Sequence, residues 1–100
     1  MLLLSGARAR EVRGWLRERI TLEQAEARYA AFDRDWLACC GGTAGWLEYL
    51  QDKIVAEMRL GDELWLYDTG PEAWSELRGD QGLAHVRDGQ VVGLLMERMN

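Results

Sequence analysis

Leu83-Ala84-His85-Val86-Arg87-Asp88-Gly89-Gln90-Val91-Val92-Gly93-Leu94-Leu95-Met96 is two apolar runs joined by Asp-Gly. Asp-Gly between such runs signals a two-residue type I′ hairpin, because both central positions need a positive φ. With Asp88 and Gly89 as the loop, Arg87 pairs with Gln90. The expected register then sets Val86 against Val91, His85 against Val92, Ala84 against Gly93 and Leu83 against Leu94. Side chains alternate across a strand. One face would carry Leu83, His85, Val92, Leu94 and Met96, and the other Ala84, Val86, Val91, Gly93 and Leu95. Neither face is polar. A half-wet antiparallel strand alternates apolar with polar residues, so both faces are expected to be covered. Helices cover one. The second cover is either another copy of the chain, through Val91, Val92, Leu94 and Leu95, or helices wrapping both sides.

Upstream, Glu63-Leu64-Trp65-Leu66-Tyr67-Asp68 reads as an earlier strand ended by Thr69-Gly70-Pro71-Glu72. Pro71 suits the first turn of a short helix capped by Thr69 or Gly70, with Trp74 and Leu77 pointing inward. Gly93 inside the last strand suggests a bulge or a close approach to Trp65 or Trp74.

Three helices are expected before the sheet. Val12, Trp15, Leu16 and Ile20 make one stripe over residues 6–20. Thr21-Leu22-Glu23-Gln24 matches a capping box and starts a second helix. There Leu22, Ala25, Tyr29, Phe32, Trp36 and Cys39 follow at spacings of three and four, an a/d-type seam. That seam is either core or a pairing surface. Gly41-Gly42 ends it. A third helix, capped by Thr43, runs to about Arg59, with Trp46, Leu47, Leu50, Ile54 and Met58 inward and Gly61 closing it. The expected fold is α+β: three N-terminal helices packed on a three-stranded antiparallel sheet with one short helical insert. One hundred residues make a single domain, 1–100, helical over 1–60 and sheet over 61–100.

The net charge is −5, with 48% hydrophobic and 29% charged residues, the balance of a soluble globular domain. Five arginines against two glutamates give residues 1–20 a charge of +3, which leaves −8 for the rest. That acidic bulk argues against nucleic acid or an anionic membrane as partner. Met1-Leu2-Leu3-Leu4 is too short for a signal sequence. Adjacent Cys39 and Cys40 read as free thiols, which fits a cytoplasmic setting.

The pattern Gly61-Asp62-Glu63-Leu64-Trp65, Tyr67, Pro71-Glu72, Trp74, Leu77, Gly79, Gly82, Val86-Arg87-Asp88-Gly89, Val91-Val92 and Met99-Asn100 resembles a recurrent C-terminal module of small uncharacterised bacterial proteins. It covers about residues 61–100. The resemblance implies a bacterial cytoplasmic protein and carries no activity with it.

No phosphate loop, nucleophile elbow or metal-ligand spacing occurs in the sequence. Gly41-Gly42-Thr43-Ala44-Gly45 lacks the lysine of a phosphate loop. His85 is the single histidine and reads as a hydrogen-bonded residue of a covered face. A cysteine at a helix C-terminus sits at the negative end of the dipole, which works against a reactive thiolate. The expectation is therefore a chain with no catalytic residue, no cofactor and no metal. Two binding features are candidates. Asp62, Glu63, Asp68 and Glu72 form an acidic rim for a protein partner. Trp65, Tyr67 and Trp74 form an aromatic pocket for a small molecule. The primary reading is a non-enzymatic interaction protein that self-associates, as a dimer, through its sheet and docks a partner through the rim.

Overall fold

The computed structural model describes residues 13–42 and 45–99. Its centre is one antiparallel sheet of four strands in the order β1-β2-β3-β4. These are β1 (Leu16–Ile20), β2 (Glu63–Asp68), β3 (Asp80–Arg87) and β4 (Gln90–Met99). Helix α1 (Leu22–Cys40) links β1 to β2 together with α2 (Trp46–Tyr49). From α2 the chain continues without a break through a π turn, Leu50–Ile54, and a 3₁₀ turn, Val55–Glu57. A short helix, α3 (Pro71–Ser75), separates β2 from β3.

The fold is α+β as expected, but the layout differs. The sheet has four strands, and residues 16–20 form an edge strand in place of the end of a first helix. Residues 6–12 of that expected helix lie outside the described residues, as does the Thr43 cap. The reason for the strand lies in its neighbours. Thr21, the N-cap of α1, has extended dihedrals (φ −83°, ψ 162°), so the chain enters the helix from an extended segment. β2 also offers an open edge, and Glu18, Arg19 and Ile20 pair with Leu66, Trp65 and Leu64. Ladder pairing across forty-odd residues outweighs a weak local helix preference.

The hairpin forms where the sequence placed it. Asp88 and Gly89 have φ of 53° and 76°, and Arg87 pairs with Gln90 and Val86 with Val91. Beyond that point the expected register fails. Val92 is an extra residue, so His85 pairs with Gly93, Ala84 with Leu94 and Leu83 with Leu95. One inserted residue moves the rest of a strand to the opposite face. Leu95 therefore joins Leu83 and Leu64 under the helices, and Leu94 moves to the far side with Ala84, Val86 and Val91. A second irregularity leaves Glu97 unpaired between Met96 and Arg98.

The helix-side core gathers Ala25 and Tyr29 of α1, Leu50 and Ile54 of the π turn, and Leu64, Leu83 and Leu95 of the sheet. Trp46 stacks on Tyr29, and Phe32 meets both rings edge-on. On the far side Tyr67, Ala84, Val86 and Val91 are buried, with Trp15 stacked over Tyr67. Both faces are thus covered within one chain.

Local signals explain the element ends. The capping box is complete: the Gln24 N–H donates to the Thr21 hydroxyl, and the Thr21 N–H donates to the Gln24 side chain. Gly41, at φ 74°, closes α1 with its N–H on the Leu37 carbonyl. The Asp33 carboxylate accepts the N–H groups of Trp46 and Leu47 and so caps α2 from α1. The helical run stops at Glu57, and Gly61 (φ 90°) lies in the turn that follows.

Candidate functional site

The acidic rim is largely spent inside the chain. Asp62 leaves the turn before β2 with its side chain 2% exposed. It accepts from the Arg59 N–H, from both Nε and Nη2 of Arg87, and lies 2.6 Å from Nε2 of His85. Arg87 above all holds the Asp62 carboxyl well below the usual carboxylate range, against the opposing effect of burial. The same arginine donates to the Glu57 carbonyl and so ties the helical run to the hairpin. Glu63 accepts from the Trp65 indole and sits 3.7 Å from Arg19. Asp68 accepts from Gly70 N and the Trp74 indole. Glu72 is exposed at the start of α3.

Nor do the three aromatics converge. Trp65 and Tyr67 lie on the far side of the sheet. Trp74 packs beside Gly79, where an added Cβ would sit 2.4 Å from its ring, and Arg98 lies over it. Tyr67 lines one hollow and Trp74 another. Leu77 is exposed instead of inward.

His85 is fully buried on the helix side, and its Nδ1 has no hydrogen-bond partner among the described residues. Cys39 and Cys40 are exposed free thiols. Cys40 is pushed up from its ordinary pKa, first by its hydrogen bond to Cys39. No group of three or more candidate metal ligands occurs among the described residues.

The sequence reading missed a buried carboxylate. Glu97, displaced by the second bulge, turns under α1 with its side chain 2% exposed. Arg28 donates to both its oxygens at 2.8 and 2.7 Å, and the Tyr29 hydroxyl donates to Oε2. Burial, and then the Glu97 carboxylate, raise the Tyr29 pKa; the hydrogen bond to Glu97 raises that of Arg28. Nothing in the spacing of Arg28, Tyr29 and Glu97 announces this contact, since a bulge creates it.

What remains open is an edge of the sheet and the surface beside it. Among the described residues β1 and β4 are the two edges. β1 has five residues, three of them charged (Arg17, Glu18, Arg19), and an irregular register. These are devices that keep an edge from pairing with another chain. β4 has ten residues, and the seven from Gln90 to Met96 carry no charge and no proline. Glu97, the one acid in the strand, faces inward. Among the described residues β4 has a strand neighbour on one side only, and no loop backbone bond reaches its outer edge. Between its two bulges Gly93 to Met96 form a regular ladder. Beside this stretch lies a hollow of about 290 Å³ lined by Gly45, Trp46, Tyr49, Leu95 and Met96. Tyr49 and Met96 are 44% and 42% exposed. Of the residues expected to associate, Val91 and Leu95 are buried, while Val92 and Leu94 are half-buried along this edge.

Compared with protein families, with curated proteins and with solved structures, the chain matches none. Over the described residues the fold and the site define it as an α+β domain with one guarded sheet edge and one unguarded one. Among the described residues no helix is long and apolar enough to cross a membrane.

Proposed function

We propose that the protein is a non-catalytic interaction module whose working surface is the β4 edge with the hollow beside it. The surface takes an extended segment of another chain as an added strand. The observation that carries this reading is the contrast between the two edges. One is short and charged, and the other is long, uncharged over seven residues and flanked by exposed apolar side chains. Strand addition draws affinity from main-chain hydrogen bonds and selectivity from pockets for alternate side chains. The hollow between Trp46 and Tyr49 on α2 and Leu95 and Met96 on β4 suits one such side chain. A non-catalytic role is supported by the carboxylates, since Asp62, Glu63, Asp68 and Glu97 each face a cation or an indole N–H in the chain itself. Two exposed thiols support a reducing, cytoplasmic setting.

The test is an amide-shift titration of the isotope-labelled chain with a six-residue peptide of alternating valine and threonine. Shifts are expected over residues 90–99 and 45–49, and Met96→Lys should abolish them. Shifts confined to the exposed end of α1, around Trp36 and Leu37, or no shifts at all in a chain that stays at its single mass, would overturn the reading.

A further inference from the structure

Granting that β4 accepts a strand, we infer that the strand it accepts is β4 of a second copy, paired antiparallel about a two-fold axis at Leu94. Three observations lead there.

The first is charge. Gln90–Met96 is uncharged, so two copies can approach without repulsion across the pairing stretch. Direction follows from the next residues. A parallel, in-register pair would set Arg98 against Arg98, and like charges directly opposite are unfavourable. An antiparallel pair sets Arg98 against an uncharged residue of the other copy. Glu97 takes no part, because Arg28 and Tyr29 hold it under α1.

The second is register. A two-fold axis between antiparallel neighbours stands perpendicular to the sheet and keeps both helix layers on the same side. Directly opposed residues must then point to the same face. Within Gly93–Met96 this allows Leu94 opposite Leu94 or Leu95 opposite Leu95. Leu95 is 2% exposed and already packed under α1 and the π turn, so placing it on the axis covers nothing new. Leu94 is half-buried on the far side. On the axis it meets its own copy, and Gly93 falls opposite Leu95 on the helix side.

The third is closure. An isologous contact uses the one edge that is open among the described residues of each copy and leaves β1 at both ends of an eight-stranded sheet, where its charges and irregular register discourage further addition. The helix layers meet on one side, which brings Tyr49 of each copy to the junction.

The experiment uses the full chain. Sedimentation equilibrium should give twice the 11.4 kDa chain mass, falling to the single mass on dilution. Met96→Lys, at an exposed position, should weaken dimerisation at least tenfold with the far-UV spectrum unchanged. In a background with Cys39→Ser and Cys40→Ser, Leu94→Cys should form a disulfide-linked dimer under mild oxidation. Opposed residues of antiparallel strands lie about 5 Å apart at Cβ. Gln90→Cys should not cross-link, because eight residues would separate the two thiols by about 27 Å. A single mass at every concentration, or equal cross-linking of both variants, would overturn the inference. If the single-mass chain still shifts its β4 amides with the valine–threonine peptide, the strand-accepting reading survives the loss of the second copy. If it does not, both fall.

Discussion

Gly82 is where one atom decides most. It sits in β3 opposite Met96, and a Cβ built on it would lie 2.0 Å from the Leu95 carbonyl oxygen. That neighbour is backbone in the bulged stretch of β4, so it cannot swing aside as a side chain can. Gly82→Ala should therefore destabilise the fold by about 1–3 kcal/mol, the usual cost of overpacking. The check is the urea midpoint of the variant against wild type. Gly89→Ala, where nothing lies within 4 Å, is the control: its cost comes only from a φ of 76°. Equal losses would show that close approach is not what holds position 82. The sequence gives Gly82 no distinction from ten other glycines. Its role depends on a bulge in the neighbouring strand. The same limit hid Glu97, which reads as a surface acid until the bulge turns it inward. By contrast, the Asp88-Gly89 turn rests on a short-range rule and was legible, as was a buried, hydrogen-bonded His85, though not Asp62 as its partner, which reads in the sequence as part of an exposed rim.

At the level of elements, α1 shows what periodicity can and cannot say. Its seam was readable from Leu22 to Cys39, and its first half is core: Ala25 and Tyr29 are buried, with Leu22 and Phe32 packed against them. The second half leaves the domain, with Trp36 48% and Leu37 55% exposed. A repeat in sequence fixes which side of a helix is apolar but not how far its neighbours extend. β1 fails for a related reason. Its residues satisfy a helical stripe locally, and only the open edge of β2 makes them a strand. The helix start, being local, was readable. Thr21→Ala removes the hydroxyl that receives the Gln24 N–H. It should cost about 1 kcal/mol, seen as a lower thermal midpoint with unchanged helical signal at 25 °C. A wild-type midpoint would mean that pairing of β1 with β2, and not the cap, sets where α1 begins.

Across the whole molecule, two buried carboxylates fasten the helical layer to the sheet from opposite ends of β4. Near the hairpin, Asp62 gathers Arg87, His85 and the Arg59 N–H, while Arg87 also reaches the Glu57 carbonyl. At the far end, Glu97 gathers Arg28 and Tyr29. Apolar contacts fill the layer between them, but contacts of that kind fix no register. The charged clips do, and the one at Asp62 makes stability depend on acid. The Asp62 carboxyl is depressed in the folded chain, chiefly by Arg87. An unfolded aspartate titrates near 4. Its contribution is therefore fully present above about pH 4 and is lost as the pH falls through and below that value toward the folded pKa. Asp62→Asn keeps the shape and removes the titration. Urea midpoints at pH 7 and pH 3 should show the wild type losing more than the variant over that interval, with the variant already less stable at pH 7. Parallel losses in the two proteins would mean that acid acts elsewhere than at Asp62. At the other clip, Arg28→Gln leaves the Glu97 carboxylate buried with Tyr29 alone and should lower the urea midpoint at pH 7.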